Sequence, residues 1–402
     1  MWAVKKAYYR AFQKTLKICM MFLDWSEPQL LKGPGAIRKL PSLIKEKGIK
    51  KVLIVTDKGL MGINLLDSLF EELEKLQIEY VIYDGVQPNP SIENIEEARE
   101  LFVSKGCEGM IAFGGGSPMD CAKAAAARVV RPNKTIPQMR GQMKILRKLP
   151  PFFAVPTTAG TGSETTLAAV VSDTKTHEKY AINDPSLRPK YAVLDPELTI
   201  GLPPHITSTT GMDALTHAVE AYIGKSNTRS TKSYAQMATA KIFGNLERAY
   251  VDGKDVEARG QMLLASYYAG MAFTRAYVGY VHAIAHNLGG IYSIPHGLAN
   301  AVVLPVVLEA YGDAIYNQLA ELASCTYLTG RTGEEKALKF IAEIKAMNER
   351  MNIPKGFAQI KEDDIPTIVQ RAMKEAHPLY PTPVIFDKEQ LTQIVRSLKI
   401  EE

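Results

Sequence analysis

The chain has 402 residues, 46% hydrophobic and 23% charged. Those proportions exclude wholesale disorder, and the length suits two domains with substantial cores. The net charge of +5 raises nucleic acid or an anionic surface as a partner, yet residues 1–23 hold Lys5, Lys6, Arg10, Lys14 and Lys17 with no acid. The other 379 residues balance 43 basic against 43 acidic side chains, so no nucleic-acid partner is expected.

In chain order, residues 2–23 read as an amphipathic helix. Val4, Tyr8, Phe12, Leu16, Cys19 and Leu23 recur at helical spacing and predict a docked apolar face, opposite Lys6, Arg10, Lys14 and Lys17. The expected partner of that face is this protein or a neighbouring subunit. Contact with a membrane surface is the alternative.

From residue 50, strand candidates Val52–Thr56, Tyr80–Tyr83, Gly109–Phe113 and Phe152–Val155 alternate with helical stretches 60–75, 92–105 and 118–130. That alternation predicts βαβ units and a mainly parallel sheet. Residues 131–149 are basic and contain proline, which reads as a surface connection. After Leu202-Pro203-Pro204 the pattern turns helical: 209–223, 228–249, 256–275, 312–328, 333–351 and 387–398. The expected division is a basic helix over 1–25, an α/β domain over 26–202 and a helical domain over 203–402.

Five features carry chemistry. Gly114-Gly115-Gly116-Ser117-Pro118-Met119-Asp120 joins a strand to an Ala-rich helix, a context in which glycines admit a phosphate to a helix N-terminus. Pro118 suits the first helical turn, and Asp120 stands where a reciprocal cap of Ser117 would. Asp57, at a strand end, reads as a turn or cap carboxylate, with ribose binding as the alternative. Pro156-Thr157-Thr158-Ala159-Gly160-Thr161-Gly162-Ser163-Glu164 is a hydroxyl-rich loop, either a simple turn or a cleft wall.

Asp213 and His217 lie one helical turn apart among apolar residues, as do His282 and His286, whereas His296 is expected on a turn between Pro295 and Gly297. Residues 276–308 contain no Asp, Glu, Lys or Arg. Three histidines in that window argue for a buried polar site and against a membrane span. One carboxylate and three imidazoles suit a divalent cation such as Fe²⁺ or Zn²⁺. The four cysteines, Cys19, Cys107, Cys121 and Cys325, form no CxxC pair, so a reducing cytoplasm is expected.

Taken together and in order, Gly114–Asp120, Pro156–Glu164, Asp213–Glu220 and His282 through Asn300 resemble the iron-containing (group III) alcohol dehydrogenase family, from about Pro28 to the C-terminus. The resemblance implies a Rossmann-like nucleotide-binding domain followed by a helical metal-binding domain. It implies NAD(H)-linked, reversible oxidation of a primary alcohol to an aldehyde, with the metal polarising the substrate oxygen. The implied metal ligands are Asp213, His217, His282 and His296, with His286 a non-ligand proton relay near the nicotinamide.

For the cofactor, the resemblance implies pyrophosphate on Gly115, Gly116 and Ser117, with Asp120 and Lys179 towards the nicotinamide ribose. It places Thr157, Thr158 and Thr166 in the cleft, Asn89 on the adenosine side, and Asp57 as the residue favouring NAD over NADP. A homodimer is expected. The chain departs from the family pattern in its helix at 2–23, in Tyr380-Pro381-Thr382-Pro383 where Asn-Pro-Arg is usual, and at Ala168 in place of a polar contact. Alternatives are a relative resembling dehydroquinate synthase or glycerol dehydrogenase, and a metal- and nucleotide-binding regulator without turnover.

Overall fold

Short apolar, β-branched runs form the first sheet. In the computed structural model, which describes residues 2–174 and 178–401, β1 (Gln29–Lys32), β2 (Lys51–Val55), β3 (Glu79–Tyr83), β4 (Gly109–Gly114), β6 (Phe152–Pro156) and β9 (Tyr191–Leu194) pair in parallel in the order β1-β9-β6-β4-β2-β3. Alternate side chains serve opposite faces. Leu53, Val55, Met110 and Ala112 pack with the helix Gly116–Val130 on one side. Val52, Ile54, Ile111 and Phe113 pack with Leu40, Leu69 and Leu73 on the other. Both faces are covered, which is why the strands read as continuous apolar runs.

The chain runs from β2 to β3 on one side, then returns to β4 on β2's other side. Open parallel sheets bind ligands outside the carboxyl ends of strands at such a reversal. Asp57 follows β2 and Gly115 follows β4, so both stand at it. A second sheet of β5 (Gly141–Gln142), β8 (Glu178–Asn183) and β7 (Ala168–Asp173) had no counterpart in the sequence reading. The stretch 60–75 is two helices, Lys58–Gly62 and Asp67–Lys75, interrupted near Asn64, whose φ is +58°. The connection 131–149 is not wholly superficial, because Ile136, Met139 and Ile145 are fully buried.

The chain separates into two compact units, Asp24–Gly201 and Met1–Leu23 with Leu202–Glu402. The second is helical. Its framework includes Pro204–Ile223, Arg229–Val251, Val256–Ala276, Tyr280–Tyr292, His296–Tyr311, Gly333–Arg350, Ile365–Ala376 and Lys388–Ser397. The stretch His296–Ala323 is long and apolar enough to cross a bilayer, yet 61% of its most apolar window is buried inside the protein, as expected of a core helix.

The N-terminal helix Trp2–Met20 belongs to this unit, but it is turned over relative to expectation. Val4 is 73% exposed and Tyr8 60%, whereas Gln13 is buried. The side that faces the protein is mixed: Trp2, Tyr9 and Leu16 are part-buried there beside Arg10, Gln13 and Lys17, whose polar groups meet backbone carbonyls.

Candidate active site

In the helical unit, Asp213, His217 and Glu220 stand on the helix Pro204–Ile223 at spacings of four and three, so they share one face. The helix Tyr280–Tyr292 brings His282 and His286, again one turn apart. His296 is the first residue of the helix His296–Tyr311, not part of a turn. Pro295 sets that helix's entry, and Gly297 lets it approach closely, since a Cβ there would lie 2.5 Å from the Thr209 carbonyl oxygen.

The result is a cluster of four ligand atoms, one each from Asp213, His217, His282 and His296, all within 4.8 Å of one another. Asp213 Oδ1 lies 3.4 Å from His296 Nε2 and 3.9 Å from His282 Nε2. Asn300 Nδ2 donates to Asp213 Oδ1 at 2.6 Å. Glu220 Oε2 accepts from His282 Nδ1 at 2.6 Å, and Glu220 also takes the N–H groups of Gly279 and Val281 at 2.8 Å each. Burial, then the neighbouring histidines, hold the His282 imidazole well below its usual pKa.

Neutral His282 therefore donates its one ring N–H, on Nδ1, to Glu220 and turns the Nε2 lone pair inwards. Nε2 is buried and has no hydrogen-bond partner among the described residues. An orphaned buried acceptor facing a carboxylate is costly unless a cation satisfies both. The donor set, one oxygen and three imidazole nitrogens, fits Fe²⁺ or Zn²⁺. Glu220 fixes the tautomer of His282, the part a supporting carboxylate plays for a histidine that holds a metal. It stood in the sequence at the end of the Asp213–Glu220 motif, but only the fold shows which ring it serves.

His286 stands beside this cluster and outside it. Its ring stacks on His296 at 5.1 Å between centroids, and its Nδ1 lies 2.7 Å from Glu375 Oε1, which also accepts from the Tyr380 hydroxyl at 2.8 Å. Nothing in the sequence had marked Glu375.

In the α/β unit, Gly114 has φ +146°, and a Cβ there would meet Pro118 Cγ at 2.6 Å, so only glycine serves. The helix starts at Gly116, with Gly115 as its cap residue and no side-chain capping bond. This corrects the expected Ser117–Asp120 reciprocal cap. With the start two residues earlier, Asp120 lies beyond capping reach and accepts instead from Val170 N–H at 3.0 Å and Ser163 Oγ at 3.2 Å. Ser117 Oγ accepts from Asn89 N–H at 3.1 Å, and Asn89 Oδ1 accepts from Lys179 Nζ at 2.6 Å, so those three residues meet. Thr157 N–H donates to Gly114 O at 3.1 Å, and the Thr158 side chain lies against Gly115. Asp57 caps the following helix by accepting from Leu60 N–H at 3.0 Å.

Thr166 is placed differently from a free cleft hydroxyl. Its Oγ1 accepts from Lys123 Nζ at 2.9 Å. Lys123 is fully buried, and its ammonium also reaches the carbonyls of Ser163, Thr166 and Ala168 and the Ser163 hydroxyl. It ties the helix after the glycine loop to the threonine-rich loop. The signal was a single lysine inside the alanine run Ala122–Ala127, on a helix face too apolar to be exposed.

Glu164 is buried in the same loop, and that burial raises its pKa to about 7 against the backbone N–H and Lys123, which lower it. Unfolded, the carboxyl releases its proton near 4.5. Between those values the unfolded chain binds fewer protons than the folded one. This group's contribution is therefore full below about 4.5, and as much as ~3 kcal/mol is lost as pH rises to about 7. Glu164→Gln is expected to flatten that part of the stability–pH curve, measured by thermal unfolding; an unchanged slope would remove Glu164 as its source.

The comparisons with known proteins agree with both halves of this geometry. The family model described as iron-containing alcohol dehydrogenase matches residues 28–196, and that of the C-terminal part of the Fe-containing alcohol dehydrogenase family matches 207–399. Alcohol dehydrogenase 4 of Schizosaccharomyces pombe is 38% identical over 87% of this chain and 84% of its own. The 1,3-propanediol dehydrogenase of Klebsiella pneumoniae is 38% identical over 86% of this chain and 90% of its own. The crystal structure of a 1,3-propanediol oxidoreductase superposes with a TM-score of 0.90 at 37% identity, covering 94% of this chain and all of that one. With both family models matched and a largely buried Asp/His₃ cluster in place, the chain belongs to the iron-containing alcohol dehydrogenase family and is an oxidoreductase that interconverts alcohols and aldehydes.

Proposed function

We propose that this enzyme prefers NAD(H) to NADP(H), that Asp213, His217, His282 and His296 hold one Fe²⁺ or Zn²⁺, and that a small primary alcohol and its aldehyde are the substrate pair. The observation that carries the reading is the His282 Nε2 lone pair, buried without a hydrogen-bond partner and turned towards Asp213. The chemistry supplied by the bound groups is Lewis-acid stabilisation of a developing alkoxide by the cation and hydride acceptance by the nicotinamide.

This chain's residues do the rest. Glu220 holds the proton of His282 on Nδ1, which keeps Nε2 a ligand. Glu375 does the same for His286, leaving His286 Nε2 to take the alcohol proton as the hydride departs. The glycine loop presents helix N–H groups to the pyrophosphate, and Ser117, Asn89 and Lys179 form a connected polar rim. The four free cysteines suit a reducing compartment such as the cytoplasm. The phosphate-eliminating and non-catalytic alternatives draw no support from the dehydrogenase relatives.

The test is loss of NADH absorbance when protein loaded with Fe²⁺ or Zn²⁺ meets a panel of short aldehydes. Turnover with NADH exceeding that with NADPH is expected; inertness towards the whole panel would sink the reading. Asp57→Gly should raise the NADPH-to-NADH ratio about tenfold, the worth of ~1–2 kcal/mol of charge repulsion. Glycine remains an acceptable cap, so this change costs only a few tenths of a kcal/mol in stability. An unchanged ratio would relieve Asp57 of that role.

A further inference from the structure

The N-terminal helix Trp2–Met20 lies outside the residues matched to the family, 28–196 and 207–399. It touches another place where this sequence leaves the family pattern, Tyr380-Pro381-Thr382-Pro383. Arg10 donates to the carbonyls of Thr382 at 2.7 Å and Pro383 at 2.9 Å. Gln13 Nε2 donates to those of Pro378 at 3.0 Å and Tyr380 at 2.8 Å, while its Oε1 accepts from Arg10 at 2.9 Å. Tyr9 stacks on His377 at 4.9 Å between centroids. Lys17 donates to the Asn227 carbonyl at 2.8 Å, and Lys225 N–H in turn donates to the Pro381 carbonyl at 2.7 Å.

The reason for these contacts is in the sequence. Pro378, Pro381 and Pro383 keep residues 378–383 out of a helix or sheet ladder; the Tyr380 carbonyl takes the Thr382 N–H, and those of Pro378, Thr382 and Pro383 draw donors from outside the segment. The N-terminal helix supplies those donors from Arg10 and Gln13, which is why these polar residues face inwards while Val4 and Tyr8 face out.

This segment leads towards the reacting end of the molecule. Tyr380 donates its hydroxyl to Glu375 Oε1, and the same oxygen holds His286 Nδ1. We propose that Arg10 and Gln13 are positioning residues for His286: they hold residues 378–383 and, through Tyr380 and Glu375, set the orientation of the imidazole. The proposal rests on the reading of His286 as the proton relay. Burial, then the Glu375 carboxylate, push the Tyr380 phenol well above its usual pKa, so it stays a donor. The chain of contacts is continuous and lies wholly within one compact unit.

Gln13→Met keeps the length of the side chain and removes both of its N–H donors; Arg10→Met is the companion variant. In full-length, metal-loaded protein each is expected to lower kcat by ~3–10-fold, the effect of a misplaced catalytic group, with KM for NADH and metal content unchanged. Amide exchange at Tyr380 and Thr382 should rise. In a Tyr380→Phe background, Gln13→Met should cost nothing further, because one chain of contacts is already cut.

An unchanged kcat, an additive loss in the double variant, or loss of metal along with activity would each overturn the proposal. So would unchanged exchange at Tyr380 in an otherwise active enzyme. If the unsubstituted protein turned over no aldehyde, the relay reading would fall and this proposal with it, but exchange at Tyr380 would still rise in Gln13→Met, so the two failures are distinguishable.

Discussion

His282→Ala is expected to lose its divalent cation and its turnover together. The substitution removes one of four donors from a cluster whose ligand atoms lie within 4.8 Å of one another. It also takes the imidazole partner from Glu220, leaving that buried carboxyl to backbone N–H groups, among them those of Gly279 and Val281. Lewis-acid stabilisation of a developing alkoxide is worth several kcal/mol, and each ~1.4 kcal/mol is tenfold in rate, so a fall of ~10³ or more follows. Metal analysis after dialysis and the NADH assay should report the two losses in parallel. His286→Ala is the control: metal stays stoichiometric while kcat falls by ~10²–10⁴, the usual worth of a positioned acid–base group. Full turnover by metal-free His282→Ala would end the proposed chemistry, and loss of metal from His286→Ala would mean that the two histidines had been assigned the wrong way round.

The residues of that experiment were legible in the sequence because their chemistry is rare and their spacing is local. Asp213 with His217, and His282 with His286, each lie one turn apart, in surroundings where an unsatisfied polar group would be costly. His296 was legible as a residue and illegible as a position: Pro295 and Gly297 signal a turn as readily as a helix start. Strands β2, β3, β4 and β6 declared themselves through apolar runs. The edge strand β1 and the small sheet of β5, β7 and β8 did not, since their short half-exposed pattern is indistinguishable from loop. The N-terminal helix misled in a more instructive way. Its periodicity predicted the helix, but the inward face was chosen by backbone carbonyls of a proline-rich segment some 370 residues away, at Thr382 and Pro383. No local pattern carries that information. Glu375 was missed for the same reason, while the alanine run around Lys123 signalled its burial but not what it touches across the fold.

Lys123→Met shows how much depends on such a residue. Methionine matches the lysine's reach but brings neither charge nor donor. The carbonyls of Ser163, Thr166 and Ala168, now 2.6, 3.0 and 3.1 Å from Nζ, would lose that donor. The buried Asp120 and Glu164 carboxyls would lose the cation that favours their ionised forms. Removing one partner from a buried charged network costs ~3–5 kcal/mol. For a unit the size of Asp24–Gly201, that corresponds to a fall of ~10 °C in Tm. The same bonds fix the threonine-rich loop against the helix that follows Gly115, so NADH should bind at least ~10-fold more weakly while the cation of the other unit is retained. The stabilisation given by saturating NADH should shrink accordingly, since a ligand stabilises in proportion to the logarithm of its concentration over Kd. Calorimetry with and without NADH, beside metal analysis, separates the effects. A variant with unchanged Tm and unchanged NADH stabilisation would show that the loop holds its shape without the lysine. Loss of metal would place the effect of Lys123 outside its own unit.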